Sequence, residues 1–147
     1  MKHDKVIGIL GGMGAASTAH AFQLLVNYQQ DILGCVQDED FYKTVIYSIA
    51  LKDWDETGFV NQESVKNQLV EEIRKLEAFG VDIIAIPCNT VHYFYREMQA
   101  AVRTEIINMV EETAHEVIKN GRRKIGIVSS RSTRDLKLYE ISIEIAC

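Results

Sequence analysis

Only one proline interrupts the chain, at position 87, and no Pro- or Ser-rich linker or low-complexity tract appears, so nothing marks off a long flexible segment. No apolar run approaches the ~18–20 residues that a membrane span requires. Cysteine is sparse, at positions 35, 88 and 147. An odd set without Cys-x-x-Cys spacing supports neither a disulfide framework nor a zinc site. Positive charge is short as well: 16 Lys and Arg stand against 21 Asp and Glu, a formal net charge of −5. That is the wrong sign for a surface that tracks nucleic-acid phosphates. The one basic cluster, "KNGRRK" at 119–124, surrounds a glycine and reads as a helix C-terminus, where cations suit the negative end of the helix dipole. The opening "MKHDKVIGIL" passes straight from charges into a strand-like run, without the cleavage pattern of a secretory leader. The expectation is a reduced, cytoplasmic protein with no nucleic-acid or membrane partner.

What is present is an ordinary soluble balance, 47% hydrophobic and 25% charged over 147 residues. That length suits one domain, or one and part of another. Short apolar runs alternate with helical periodicities. "KVIGIL" (5–10) reads as a buried strand and leads into "GGMGAAST"; a helix follows from Ala19 to about Ile32. "YKTVIYSIAL" (42–51), rich in β-branched and aromatic residues, reads as a second strand, and "KDWDETGF" as a loop. A helix is expected from Asn61 to Phe79, with Val65, Leu69, Ile73 and Leu76 on one face, Asn61 as N-cap and Gly80 as stop. "VDIIAI" (81–86) is the third strand, followed by a helix over 91–101, a short strand in "EIINM", and a helix over 110–119. "RKIGIVSS" (123–130) reads as a further strand and "TRDLKLYEISIEI" as a helical tail. Strands alternating with helices predict an α/β fold, a parallel sheet flanked by helices on both faces.

In such sheets ligands bind beyond the carboxyl ends of the strands. Three of the expected ends carry small or polar residues: Gly11-Gly12-Met13-Gly14, Cys88-Asn89-Thr90, and Ser129 to Thr133. Together they read as a floor of backbone N–H groups and hydroxyls suited to an anion. The glycine loop is not a dinucleotide fingerprint, because Ser17 stands where a third glycine or alanine belongs, and it lacks the Gly-Lys-Ser/Thr of a phosphate-binding P-loop. Either it contacts a ligand or it simply permits a tight strand-to-helix turn. Cys88 is likewise either a small core residue or a reactive thiol. Asn89 and Thr90 favour the second reading, being good carboxylate partners, and a following helix N-terminus is expected to favour the thiolate. His92 either assists that thiol or faces solvent from a helix.

These residues resemble the aspartate/glutamate racemase family of cofactor-independent amino-acid racemases. "IGILGGMGAAST" (7–18) is similar to the family's opening strand and loop, and "PCNTVH" (87–92) to its first catalytic-cysteine motif. "KIGIVSSRST" (124–133) resembles a third motif, with Arg131 and Thr133 matching and Ser130 and Ser132 replacing the common threonine and glycine. The resemblance runs over essentially the whole chain. It implies interconversion of L- and D-amino acids between two similar α/β domains, one thiol on each face of Cα, with no pyridoxal phosphate and no metal. By the same resemblance, Cys88 is one acid/base. Met13, Gly14, Asn89, Thr90, Ser130, Arg131, Ser132 and Thr133 hold a small amino-acid or dicarboxylate substrate.

The family's second cysteine lies in a Gly-Cys-Thr motif further along than this chain runs, and Cys147 in "IEIAC" does not resemble it. The expected organisation is a first domain over 1–103 containing Cys88, and the start of a second over 104–147. The chain thus reads as truncated, with exposed apolar surface and self-association, as a dimer, to follow. The aspartate-specific members also use an arginine in the loop after the second strand; here that loop reads "ALKDWDETGF" and contains none. Two other readings of the same loops stand beside the racemase. One is a non-catalytic domain that binds a small carboxylate or a partner protein. The other is a cysteine enzyme resembling a maleate isomerase or decarboxylase.

Overall fold

The first strand, Val6–Gly11 (β1), is the centre from which the rest is laid out in the structure, a computed structural model that describes residues 4–55, 58–121 and 124–146. After β1 come α1 (Ala15–Asp31), β2 (Lys43–Ser48), the short strands β3 (Trp54–Asp55) and β4 (Gly58–Phe59), and α2 (Gln62–Ala78). Next are β5 (Ile83–Ala85), a 3-10 turn (Thr90–Phe94) that runs into α3 (Tyr95–Ala101), and β6 (Glu105–Ile106). The last elements are α4 (Met109–Lys119), α5 (Arg131–Asp135) and α6 (Leu138–Ala146).

Four strands form one parallel sheet in the order β2-β1-β5-β6. The register runs Val6 against Lys43 through Gly11 against Ser48, and Ile7 against Ile83. The sheet of the first unit therefore continues past residue 103 into β6.

Helix α2 forms as its sequence dictates. Asn61 accepts a hydrogen bond from the Ser64 N–H, capping the first turn, and Val65, Leu69, Ile73 and Leu76 are fully buried. With Leu10, Ile84, Ile106 and Met98 they make the core on one face of the sheet. Each such side chain contributes about 1.5–3 kcal/mol by leaving water. On the other face Ile7, Ile9, Ile83 and Ala85 look into an apolar groove of about 980 Å³ between α1 and α4.

Three expectations are corrected. Helix α1 begins at Ala15, four residues early, because Gly14 serves as its N-cap and Ser17 and Thr18 turn their hydroxyls back onto the Gly14 carbonyl at 2.8 and 3.1 Å. The loop after β2 contains the β3–β4 hairpin, held by ring contacts of Trp54 with Phe59 and of Phe59 with Phe94. The strand expected over 123–130 does not form in the described residues 124–130, and Arg123 lies outside them. A β-branched run needs a neighbour's N–H and C=O groups to become a strand. Here the run has no such ladder, and Val128 is fully exposed.

Candidate functional site

The chain leaves β5 through Ile86 and Pro87 and reaches Cys88, whose thiol is half-buried with the backbone N–H groups of Thr90 and Val91 directed at its sulfur. Burial pushes the Cys88 thiol up, and those two N–H groups oppose the shift only partly. The lowered thiol expected from a helix N-terminus is thus not found. A 3-10 turn begins here rather than a long helix, and removal of the sulfur from water outweighs its donors.

The other predicted residues gather around this point. Ser17 donates from α1 to the Pro87 carbonyl at 3.1 Å, which ties the glycine loop to the cysteine loop. Thr90 and Thr133, both buried, share a hydroxyl hydrogen bond of 2.8 Å. Ser130 caps α5 and contacts Thr133 at 3.1 Å and Ser132 at 3.2 Å. The loop at 129–133 thus reaches Cys88-Asn89-Thr90 without the strand that was expected to carry it. Asn89 is exposed and accepts a hydrogen bond from the Tyr139 hydroxyl. Arg131 is exposed at the start of α5.

Met13 and Gly14 line a cleft of about 530 Å³ with Gly12, Ala50, Leu51, Trp54, Asp55 and Ser130. The glycines divide into two roles. A side chain at Gly11 would meet Thr18, and one at Gly12 would meet the Ile49 backbone, whereas Gly14 has open space before it. Gly11 and Gly12 serve the turn, and Gly12 and Gly14 both line the cleft. Trp54 was not expected as a lining residue; its place as the lone tryptophan after a strand end was the available signal.

His92 neither assists the thiol nor faces solvent. It is buried, its Nδ1 donates to the Cys88 carbonyl at 2.7 Å, and its Nε2 accepts from the Met109 N–H at 3.3 Å. It pins the cysteine loop to the start of α4 in the neutral form, and burial lowers its pKa. Its stabilising contribution is complete above about pH 6.5, the unfolded value, and is lost as pH falls toward the lower folded value. Melting temperatures should therefore drop between about pH 7 and pH 5 in the wild type. His92→Gln should flatten that slope, whereas carboxylates act only at lower pH. An equal slope in the variant would assign the acid sensitivity elsewhere.

Cys35 is buried and donates to the Asp40 carbonyl at 3.2 Å, at the far end of the sheet where α1 returns to start β2. Cys147 lies outside the described residues. Among the described residues no group of three or more His, Cys, Asp or Glu could hold a metal ion, and no helix is long and apolar enough to cross a membrane.

The parallel sheet flanked by helices has counterparts among solved structures. An aspartate racemase from Picrophilus torridus superposes with a TM-score of 0.81 at 28% identity, covering 96% of this chain and 59% of that one. An aspartate racemase homologue from Pyrococcus horikoshii OT3 gives 0.79 at 25% identity, covering 99% and 61%. The broad specificity amino-acid racemase RacX of Bacillus subtilis is 33% identical over 135 residues, 92% of this chain and 59% of the relative. The family model for Asp/Glu/Hydantoin racemase matches residues 10–144, and the chain belongs to that family. It spans about 60% of the length of these relatives.

Proposed function

We propose that the chain acts as an amino-acid racemase, moving the α-proton through thiols without pyridoxal phosphate, with Cys88 as one acid/base. The observation that carries this reading is the position of Cys88. It lies beyond β5, half-buried, with two backbone N–H groups on its sulfur, and Thr90, two residues on, joins its hydroxyl to a cluster with Ser130, Ser132 and Thr133. In the proposed step the Cys88 thiolate takes the α-proton as the Cα–H bond breaks. The electron pair stays on Cα and spreads into the carboxylate. Asn89, the hydroxyls, Arg131 and the Met13–Gly14 backbone hold that carboxylate and stabilise the developing charge. Reprotonation from Cys88 returns the same enantiomer, and a second donor on the opposite face yields the mirror form. The thiol requires a reducing compartment, which the cytoplasm supplies.

The test is deuterium incorporation at Cα in D₂O, read by mass spectrometry over a panel of L- and D-amino acids, with chiral analysis of the product. Exchange with one enantiomer and without inversion is expected if Cys88 acts alone. Exchange with inversion would show a second donor in reach. No exchange, with amino acids still bound, would leave a carboxylate-binding domain instead.

Self-association belongs to the same reading. Leu24, Tyr28 and Ile32 recur at every fourth position of α1 and just beyond it, with 54, 55 and 65% of their surface exposed. Such a stripe suits a second copy related by a two-fold axis. Light scattering should give a dimer mass, and Tyr28→Lys with Ile32→Glu should give a monomer. A monomeric wild type would remove this part of the proposal.

A further inference from the structure

We infer that Tyr139 is a positioning residue of the proposed amino-acid site: its hydroxyl holds the Asn89 carboxamide so that the NH₂ end faces the substrate carboxylate. The inference rests on the proposed racemase reading and adds to it a residue of α6.

Asparagine at the start of a helical turn ordinarily folds its side chain back and accepts a hydrogen bond from an N–H two or three residues on. Asn89 stands at that position before the 3-10 turn and makes no such bond. The N–H groups of Thr90 and Val91 are directed at the Cys88 sulfur instead. The Asn89 side chain is therefore released from its own turn; it is exposed and meets Tyr139 from α6. The Tyr139 hydroxyl donates to Oδ1, and Nδ2 has no hydrogen-bond partner among the described residues. One end of the amide is taken and the other is open.

A carboxamide is two-faced toward an anion, because its oxygen repels a carboxylate and its NH₂ group donates to one. With Oδ1 occupied by the phenol, the end left for a ligand is the donor. Burial pushes the Tyr139 phenol up, so it keeps its proton through the neutral range. The helix that carries it packs on α4, whose Thr113 lies beside the hydroxyl. A second bond fastens the same region, since Thr133 of α5 shares its hydroxyl with Thr90 at 2.8 Å. Asn89 and Thr90, the two residues after Cys88, are thus each held by the α5–α6 segment, one through its amide and one through its hydroxyl. The donors beside the thiol take their orientation from α5 and α6 rather than from β5.

The experiment is equilibrium dialysis of labelled L-alanine, L-leucine, L-lysine and L-aspartate with the whole chain, as wild type, Tyr139→Phe, Asn89→Ala and the double variant. Tyr139→Phe keeps the ring and Asn89 is exposed, so both substitutions spare the core. For the amino acid that wild type binds most tightly, Tyr139→Phe should raise Kd about tenfold. Asn89→Ala should raise it at least as much, and adding Tyr139→Phe to Asn89→Ala should then change it by less than about twofold. A tyrosine that merely packed α6 would weaken binding in both backgrounds. In amide NMR spectra the Asn89 NH₂ signals, identified by their loss in Asn89→Ala, should move as the amino acid is added. Equal affinity of wild type and Tyr139→Phe, additive losses, unmoved Asn89 signals, or no binding of any of these amino acids overturns the inference. α-Proton exchange, measured on the same proteins, separates this from the racemase proposal. Coupled loss of affinity without exchange keeps the positioning role and retires the chemistry. Exchange without coupling does the reverse.

Discussion

Serine in place of Cys88 is expected to lower α-proton exchange by about 10²–10⁴-fold, the usual contribution of a positioned acid/base. The two side chains are close in size, and the N–H groups of Thr90 and Val91 that face the sulfur would find an oxygen acceptor instead. The fold and the carboxylate contacts should survive, so amino-acid affinity should change by no more than about threefold. What is lost is ionisation, because a hydroxyl does not form an anion in the range where a thiol does. The pH dependence follows from the raised thiol. Burial keeps Cys88 protonated near neutrality, so the thiolate fraction and the exchange rate should both climb as pH rises toward the raised value. Exchange rates measured across that range for wild type and Cys88→Ser check both statements. A variant with undiminished exchange, or a wild-type rate that falls with rising pH, would remove Cys88 from the role of base.

Gly12→Ala should be the most damaging of the small substitutions. Gly12 has φ of +99°, and a methyl group there would sit 2.0 Å from the Ile49 carbonyl oxygen and 2.7 Å from the Ile49 nitrogen. Both are backbone atoms, and the Ile49 N–H is already bonded to the Gly11 carbonyl at 3.0 Å. The chain cannot yield without parting β1 from the segment that follows β2. The strained backbone and the overpacking each cost about 1–3 kcal/mol, against a total stability on the order of 5–15 kcal/mol for a domain. Gly14→Ala is the matched control, since nothing lies within 4 Å of the added carbon. Urea midpoints should fall steeply for Gly12→Ala and stay near wild type for Gly14→Ala. Equal stability of the two would show that the loop is free to rearrange.

The elements that could be read from the sequence are those whose periodicity and end signals agree. In α2 the apolar face, the Asn61 cap and the Gly80 stop all point to one helix, and the four residues expected inside are fully buried. Strand β1 was legible for a similar reason, since a short apolar run ending in glycines has few other uses. The elements that could not be read depend on partners elsewhere in the chain. A two-residue strand such as β3 has no period; it exists because Phe59 finds Phe94. The run at 124–130 has strand composition but no ladder, and composition does not supply one. His92 was assigned to the thiol or to solvent because its sequence neighbour is Cys88, whereas its ring is set by the main chain of Cys88 and Met109. Two of the three loops that carry the candidate residues were visible as polar strand ends, and the third, at 129–133, was expected at the end of a strand that does not form in the described residues. That they touch through Ser17, Pro87, Thr90 and Thr133 required coordinates.

The order of strands in the sheet also sets a schedule for the growing polypeptide. β1 leaves the ribosome before β2 and β5, yet in the finished sheet it lies between them. One edge of β1 can be covered once Ser48 has emerged, but the other waits for Ile83–Ala85. At about 5–20 residues per second, the stretch between them takes about 2–7 s to synthesise. During that interval Val6–Gly11 offers an apolar strand with open hydrogen-bonding groups, the kind of edge that neighbouring nascent chains can join. Asp82, which accepts hydrogen bonds from the Val6 N–H and the Lys5 ammonium, emerges immediately before β5 and closes that window by aligning the two strands.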